Sequence, residues 1–135
     1  MVEYMINPRY CHTLTNPPHS YGDCIAACIR TILDRDDVPH CFDGRPTEQA
    51  WIDLRAWLAE QGKCIALFAS ESHVEIMRQN PDIQYILLHA THRGDHAIIC
   101  RDGAVVHDPA WSRSEIAGAH SMGVYVIGII GDLVL

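Results

Sequence analysis

The 135-residue chain is 48% hydrophobic and 20% charged, the balance of a folded globular chain rather than a disordered one. Its length suits one domain over residues 1–135 and is short for two. A formal net charge of −7, with no run of Lys or Arg to replace phosphate counterions, argues against a nucleic-acid partner.

The opening MVEYMINPRYCH has no basic region followed by an apolar run, so no secretory signal is expected. Pro8, Pro17 and Pro18 make the first twenty-odd residues extended chain and loop. A first helix is predicted from about Cys24 to Leu33, with Ile25, Cys28, Ile29 and Ile32 at the i, i+3, i+4, i+7 spacing of one buried face. The stretch DRDDVPHCFDGRP is loop, because Pro39 and Pro46 forbid a long helix. A second helix starts at Thr47, which suits an N-cap, and stops at Gly62, which suits the position past the C-terminus. Trp51, Leu54, Trp57 and Leu58 form its core stripe.

KCIALFA reads as a short strand. SHVEIMRQNP reads as a one- to two-turn helix with Ser72 and Glu75 as a capping box and Pro81 as its stop. IQYILLHAT is a strand, and HAIICRDGAVVHDP holds two more. Met122–Leu135 is the most apolar stretch, but glycines and Asp132 interrupt it and it falls short of the roughly 20 residues that cross a bilayer. A buried terminal strand is the better reading, and no membrane partner is expected. Helices first and strands afterwards make an α+β pattern.

Six cysteines without an export signal read as reduced thiols in a cytoplasmic setting. Cys28 reads as core, and Cys11, Cys41, Cys64 and Cys100 are given no role. Cys24 differs, because it follows a Gly22-Asp23 turn and opens a helix. There the helix dipole favours a thiolate, although the Asp23 charge opposes it. A thiolate nucleophile also needs an imidazole, and the imidazole needs an acid or amide to fix its tautomer.

The hairpin around Asp102-Gly103 is where such a pair is sought. A two-residue loop pairs Arg101 with Ala104, sets His96 opposite Pro109 and turns Asp108 to the other face. A three-residue loop, with Gly103 left-handed at a bulge, pairs Cys100 with Ala104 and sets His96 across from Asp108. Asp-Gly fits both. The chemistry favours the second, since Cys24, His96 and Asp108 then form a complete set, and the first would favour His107 instead. Asp95 ranks below Asp108, because neighbours in a strand point apart. Trp111 is core or a shield over the His96–Asp108 bond, and His89, His92 and His120 read as surface or loop.

Metal binding ranks lower. Nine histidines and six cysteines offer no CxxC, HxxxH or HExxH spacing, and Cys24-xxx-Cys28, Cys11-His12 and His40-Cys41 are weak signals. Neither a metal nor a cofactor is expected.

The segments GDCIAAC, DHAIIC and VVHDP together resemble the papain-like cysteine peptidase superfamily, and are most similar to small bacterial and phage domains akin to the bacteriocin-leader peptidases of ABC exporters. The resemblance rests on about a fifth of the chain. It implies a papain-like fold, with an N-terminal nucleophile helix packed on a curved antiparallel sheet. It also implies acyl transfer with Cys24 as nucleophile, His96 as general base and acid, and Asp108 as orienting residue. The superfamily's oxyanion-binding Gln, five or six residues before the nucleophile, is replaced here by His19 and Pro18. His19, Asn16 and the Cys24 backbone N–H are the donors left for that role. The expected activity is peptide, amide or isopeptide hydrolysis on a protein or peptide substrate. Transamidation or deamidation uses the same triad, and a binding or inhibitory module that keeps the fold without turnover is the rival reading.

Overall fold

The computed structural model describes residues 7–12, 22–68, 78–91, 94–110 and 120–129. Among the described residues two helices, α1 (Cys24–Leu33) and α2 (Thr47–Glu60), precede five strands: β1 (Lys63–Phe68), β2 (Gln84–Thr91), β3 (Gly94–Arg101), β4 (Ala104–His107) and β5 (His120–Ile129). The strands form one antiparallel sheet in the order β1-β5-β2-β3-β4. The chain is therefore α+β. Helix α1 packs on β3 and β2, and α2 packs on β1. No helix among the described residues is long and apolar enough to cross a membrane.

Helix α1 has the predicted limits but a wider buried arc. Cys24 and every residue from Ala26 to Thr31 are buried, whereas Ile25 and Ile32 pack only at the margin. Ala26 and Ala27 lack bulk, so the helix approaches the sheet closely and is covered on most sides. At its end Asp34 adopts a left-handed conformation (φ 53°). Its N–H bonds Thr31 O and the Arg35 N–H bonds Arg30 O, the two hydrogen bonds of a Schellman stop.

Helix α2 begins one residue differently from expectation. Pro46 holds the cap position with extended backbone (φ −52°, ψ 137°) and Thr47 is already helical, with no side-chain cap hydrogen bond. Ala50, Leu54 and Leu58 are its fully buried row, and Trp51 and Trp57 lie half-buried beside it. Gly62 (φ 73°) follows the helix in the left-handed region, where a β-carbon is disfavoured. Leu58→Ala is expected to lower unfolding free energy by about 3 kcal/mol through lost burial and a cavity, measured as a reduced urea midpoint at constant slope.

Strands β2 and β3 pair without interruption from Gln84↔Arg101 to Thr91↔Gly94. Tyr85 to Leu88 and Ala97 to Cys100 are buried without alternation, so both faces of this central pair are covered. Ile86, Leu88, Ala97 and Ile99 form the face that joins the core with α1.

The β3–β4 hairpin corrects the predicted loop. Arg101 pairs with Ala104 and Cys100 with Val105, so the loop holds two residues. Asp102 and Gly103 both have positive φ (52° and 78°), as a type I′ turn demands. The register then slips, and Ile99 pairs with His107. Val106 is the extra residue of a β-bulge, and this bulge decides where the following residues point. Residues 69–77, with Ser72 and Glu75 of the predicted short helix, and residues 130–135 lie outside the described residues.

Candidate active site

The bulge supplies what the three-residue loop was expected to supply. Counting one step past Ile99↔His107 brings Asp108 level with Ile98, two residues from His96 on the same face of β3. Diagonal neighbours of this kind are within reach of longer side chains. His96 Nε2 lies 2.8 Å from Asp108 Oδ1, and the two side chains are only 10% and 7% exposed.

Local structure sets the carboxylate. The Ala110 N–H donates to Asp108 Oδ1 at 2.9 Å, an Asx-type bond to the backbone two residues on. The Pro109 carbonyl accepts from the Cys11 N–H at 2.8 Å, tying the N-terminal segment to the same corner. Among the described residues Asp108 Oδ2 has no hydrogen-bond partner.

The Cys24 thiol lies close enough to the His96 ring to favour its charged form. Because Nε2 faces Asp108, Nδ1 is the nitrogen left for the sulfur. Burial disfavours a charged His96, but the hydrogen bonds to Asp108 and Cys24 and their charges outweigh it and push the imidazolium up to about 9. Cys24 is the first residue of α1, only 5% exposed, at the end where the helix amides lack intrahelical partners.

The turn before Cys24 behaves differently from expectation. Asp23 sits at the cap position, yet its side chain makes no cap hydrogen bond. It turns to Arg30, 3.1 Å away, and accepts the His12 N–H at 2.8 Å. Its charge is thus compensated by Arg30, where the sequence reading set it against the thiolate.

His107, the competing histidine, goes elsewhere. Its Nε2 donates to the Arg9 carbonyl at 2.6 Å and its ring meets Tyr10 edge-on, 5.0 Å between centroids. It anchors the N-terminal segment to the end of β4. None of the six cysteines is in a disulfide. Burial pushes the Cys11, Cys28 and Cys41 thiols up, and Cys100 up to about 11. Among the described residues no group of three or more His, Cys, Asp or Glu is arranged to hold a metal ion.

Asn16 and His19, the expected oxyanion donors, lie outside the described residues, as do His92 and Trp111. Two neighbours of the site escaped the sequence reading. Cys11, given no role there, is buried within electrostatic range of Cys24 and Asp108, and nothing local to residue 11 announces it. Arg30 had a signal: it is a charge inside an apolar helix, two turns from Asp23 on the same side. No protein-family model matches the chain, and no curated protein or solved structure matches it.

Proposed function

We propose that the chain is a papain-like, cysteine-dependent acyl-transfer enzyme, a peptidase or amide or isopeptide hydrolase acting on a protein or peptide. One observation carries this reading: a buried histidine is hydrogen-bonded to a carboxylate, and the thiol of the residue that opens a helix is near enough to its ring to favour the charged form. In the proposed reaction the Cys24 thiolate, paired with the His96 imidazolium, attacks the substrate carbonyl and forms a tetrahedral adduct. The Cys24 N–H is the donor available to its oxyanion. His96 gives its Nδ1 proton to the leaving amine as the C–N bond breaks, which leaves a thioester on Cys24. His96 then takes a proton from water, the hydroxide adds to the thioester, and collapse releases the carboxylic acid and restores the Cys24 thiolate beside the His96 imidazolium. An amine in place of water gives transamidation, and a side-chain amide as substrate gives deamidation. Asp108 keeps Nε2 protonated and the ring aimed at the sulfur throughout. The free thiols favour a reducing compartment such as the cytoplasm.

The near-complete burial of Cys24 favours a second reading, a binding or inhibitory module that keeps the fold without turnover. Alkylation with iodoacetamide, mapped by mass spectrometry as pH is varied, separates the two. Cys24 is expected to label first among the six thiols and near neutral pH, with that lead lost in His96→Ala. Labelling of Cys24 no faster than of Cys64 would reject the enzyme.

A further inference from the structure

We propose that Arg30 is a positioning residue for Cys24, which compensates the Asp23 carboxylate and holds the turn that presents the sulfur. This inference rests on reading Cys24 as a thiolate nucleophile. The pair is built into the interior: Arg30 and Asp23 side chains are 6% and 3% exposed, with Arg30 Nη1 3.1 Å from Asp23 Oδ2. A buried ion pair is costly to desolvate and is weak evidence of stabilisation by itself. A Ser or Asn at position 23 would cap the helix without any charge.

The pair does two things that a neutral cap would not. It draws the Asp23 side chain away from the first amides of α1, so the positive end of the helix is left to the neighbouring sulfur. It also uses the other carboxylate oxygen to seat the His12 N–H, which closes the N-terminal segment over the turn. The first helical hydrogen bond, from the Ala27 N–H to Asp23 O at 2.8 Å, completes the frame.

The charged and titratable groups facing this turn come from four places. His12 and Cys11 approach from the N-terminal segment, with His12 Nδ1 3.7 Å from Asp23 Oδ2. Arg30 and Cys28 lie on α1, His96 on β3 and Asp108 beyond β4. Arg30 is the permanently charged member of this set, so it fixes the charge balance at Cys24 whatever the pH.

Substitutions at Asp23 and Arg30 test this through the pH at which Cys24 alkylates at half its maximal rate, each variant being checked by far-UV circular dichroism. Arg30→Gln leaves an uncompensated carboxylate beside the sulfur and is expected to raise that pH by about one unit, a tenfold slower reaction on the rising limb. Asp23→Asn leaves the cation alone and is expected to lower it. Arg30→Lys keeps the charge and should stay near wild type. Opposite displacements in the two single variants support the inference. Displacements in the same direction, or none, overturn it and make the pair merely structural. If Arg30→Gln does not fold, the sign of the Asp23→Asn displacement decides alone. Failure here is distinct from failure of the enzyme reading, which appears in wild type as a Cys24 without early, His96-dependent labelling.

Discussion

Cys24→Ala is expected to abolish turnover, and His96→Ala to lower kcat/KM by about four orders of magnitude or more. The size follows from the geometry proposed for the reaction. Without the imidazole, Cys24 loses the partner that takes its proton, and the leaving amine loses its acid. Both roles belong to one ring, held by Asp108 and near enough to Cys24 for the two to favour its charged form. The two residues act as a unit, so the double variant Cys24→Ala/His96→Ala should be no slower than Cys24→Ala alone. The measurement is hydrolysis of a set of peptidyl thioesters and amides, with the covalent adduct on Cys24 followed by intact mass. Wild-type turnover that persists in Cys24→Ala would reject the mechanism. Adduct formation on Cys24 without turnover would favour the binding or inhibitory module.

The residues of this unit were legible in the sequence to different depths, for reasons that can be traced. The limits of α1 were readable because a Gly-Asp turn precedes a continuous apolar pattern and a polar run follows it. The turn at Asp102-Gly103 was readable because both positions need positive φ. The His96–Asp108 pairing was reached by the wrong route. A bulge at Val106 changes the parity of the strand, and a valine in a run of valines carries no mark of being the extra residue. The chemical requirement for a carboxylate beside His96 pointed to the right acid where the loop count did not. Thr47 looked like a cap because its hydroxyl suits one, but Pro46 fixes an extended backbone one residue earlier. Asp23 was set against the thiolate because its partner lies two turns away along α1, and a chain read residue by residue pairs charges poorly at that distance. The contact of Cys11 with this corner depends on the fold of the whole N-terminal segment.

Asp108→Asn isolates the charge of the orienting residue from its shape. An asparagine keeps an oxygen that accepts from His96 Nε2–H and from the Ala110 N–H, so the ring stays aimed. What it loses is the negative charge that, with Cys24, carries the imidazolium up to about 9. In wild type the falling limb of kcat/KM is therefore expected near pH 9, where His96 gives up its proton and the thiolate–imidazolium pair is lost. In Asp108→Asn that limb is expected about one to two units lower, with activity at pH 8 down roughly two- to ten-fold. Asp108→Ala also frees the ring and should be slower still at every pH. The same shift sets the sign of the pH dependence of stability. A folded-state value above the ordinary 6.5 means that His96 contributes stability fully below about pH 6.5 and loses it as pH rises through about 9. The contribution is on the order of 3 kcal/mol. Wild type should therefore unfold at lower urea concentration at pH 9.5 than at pH 6, and Asp108→Asn should show a much smaller difference. A falling limb that stays near pH 9 in Asp108→Asn would show that the carboxylate does not hold the proton on His96.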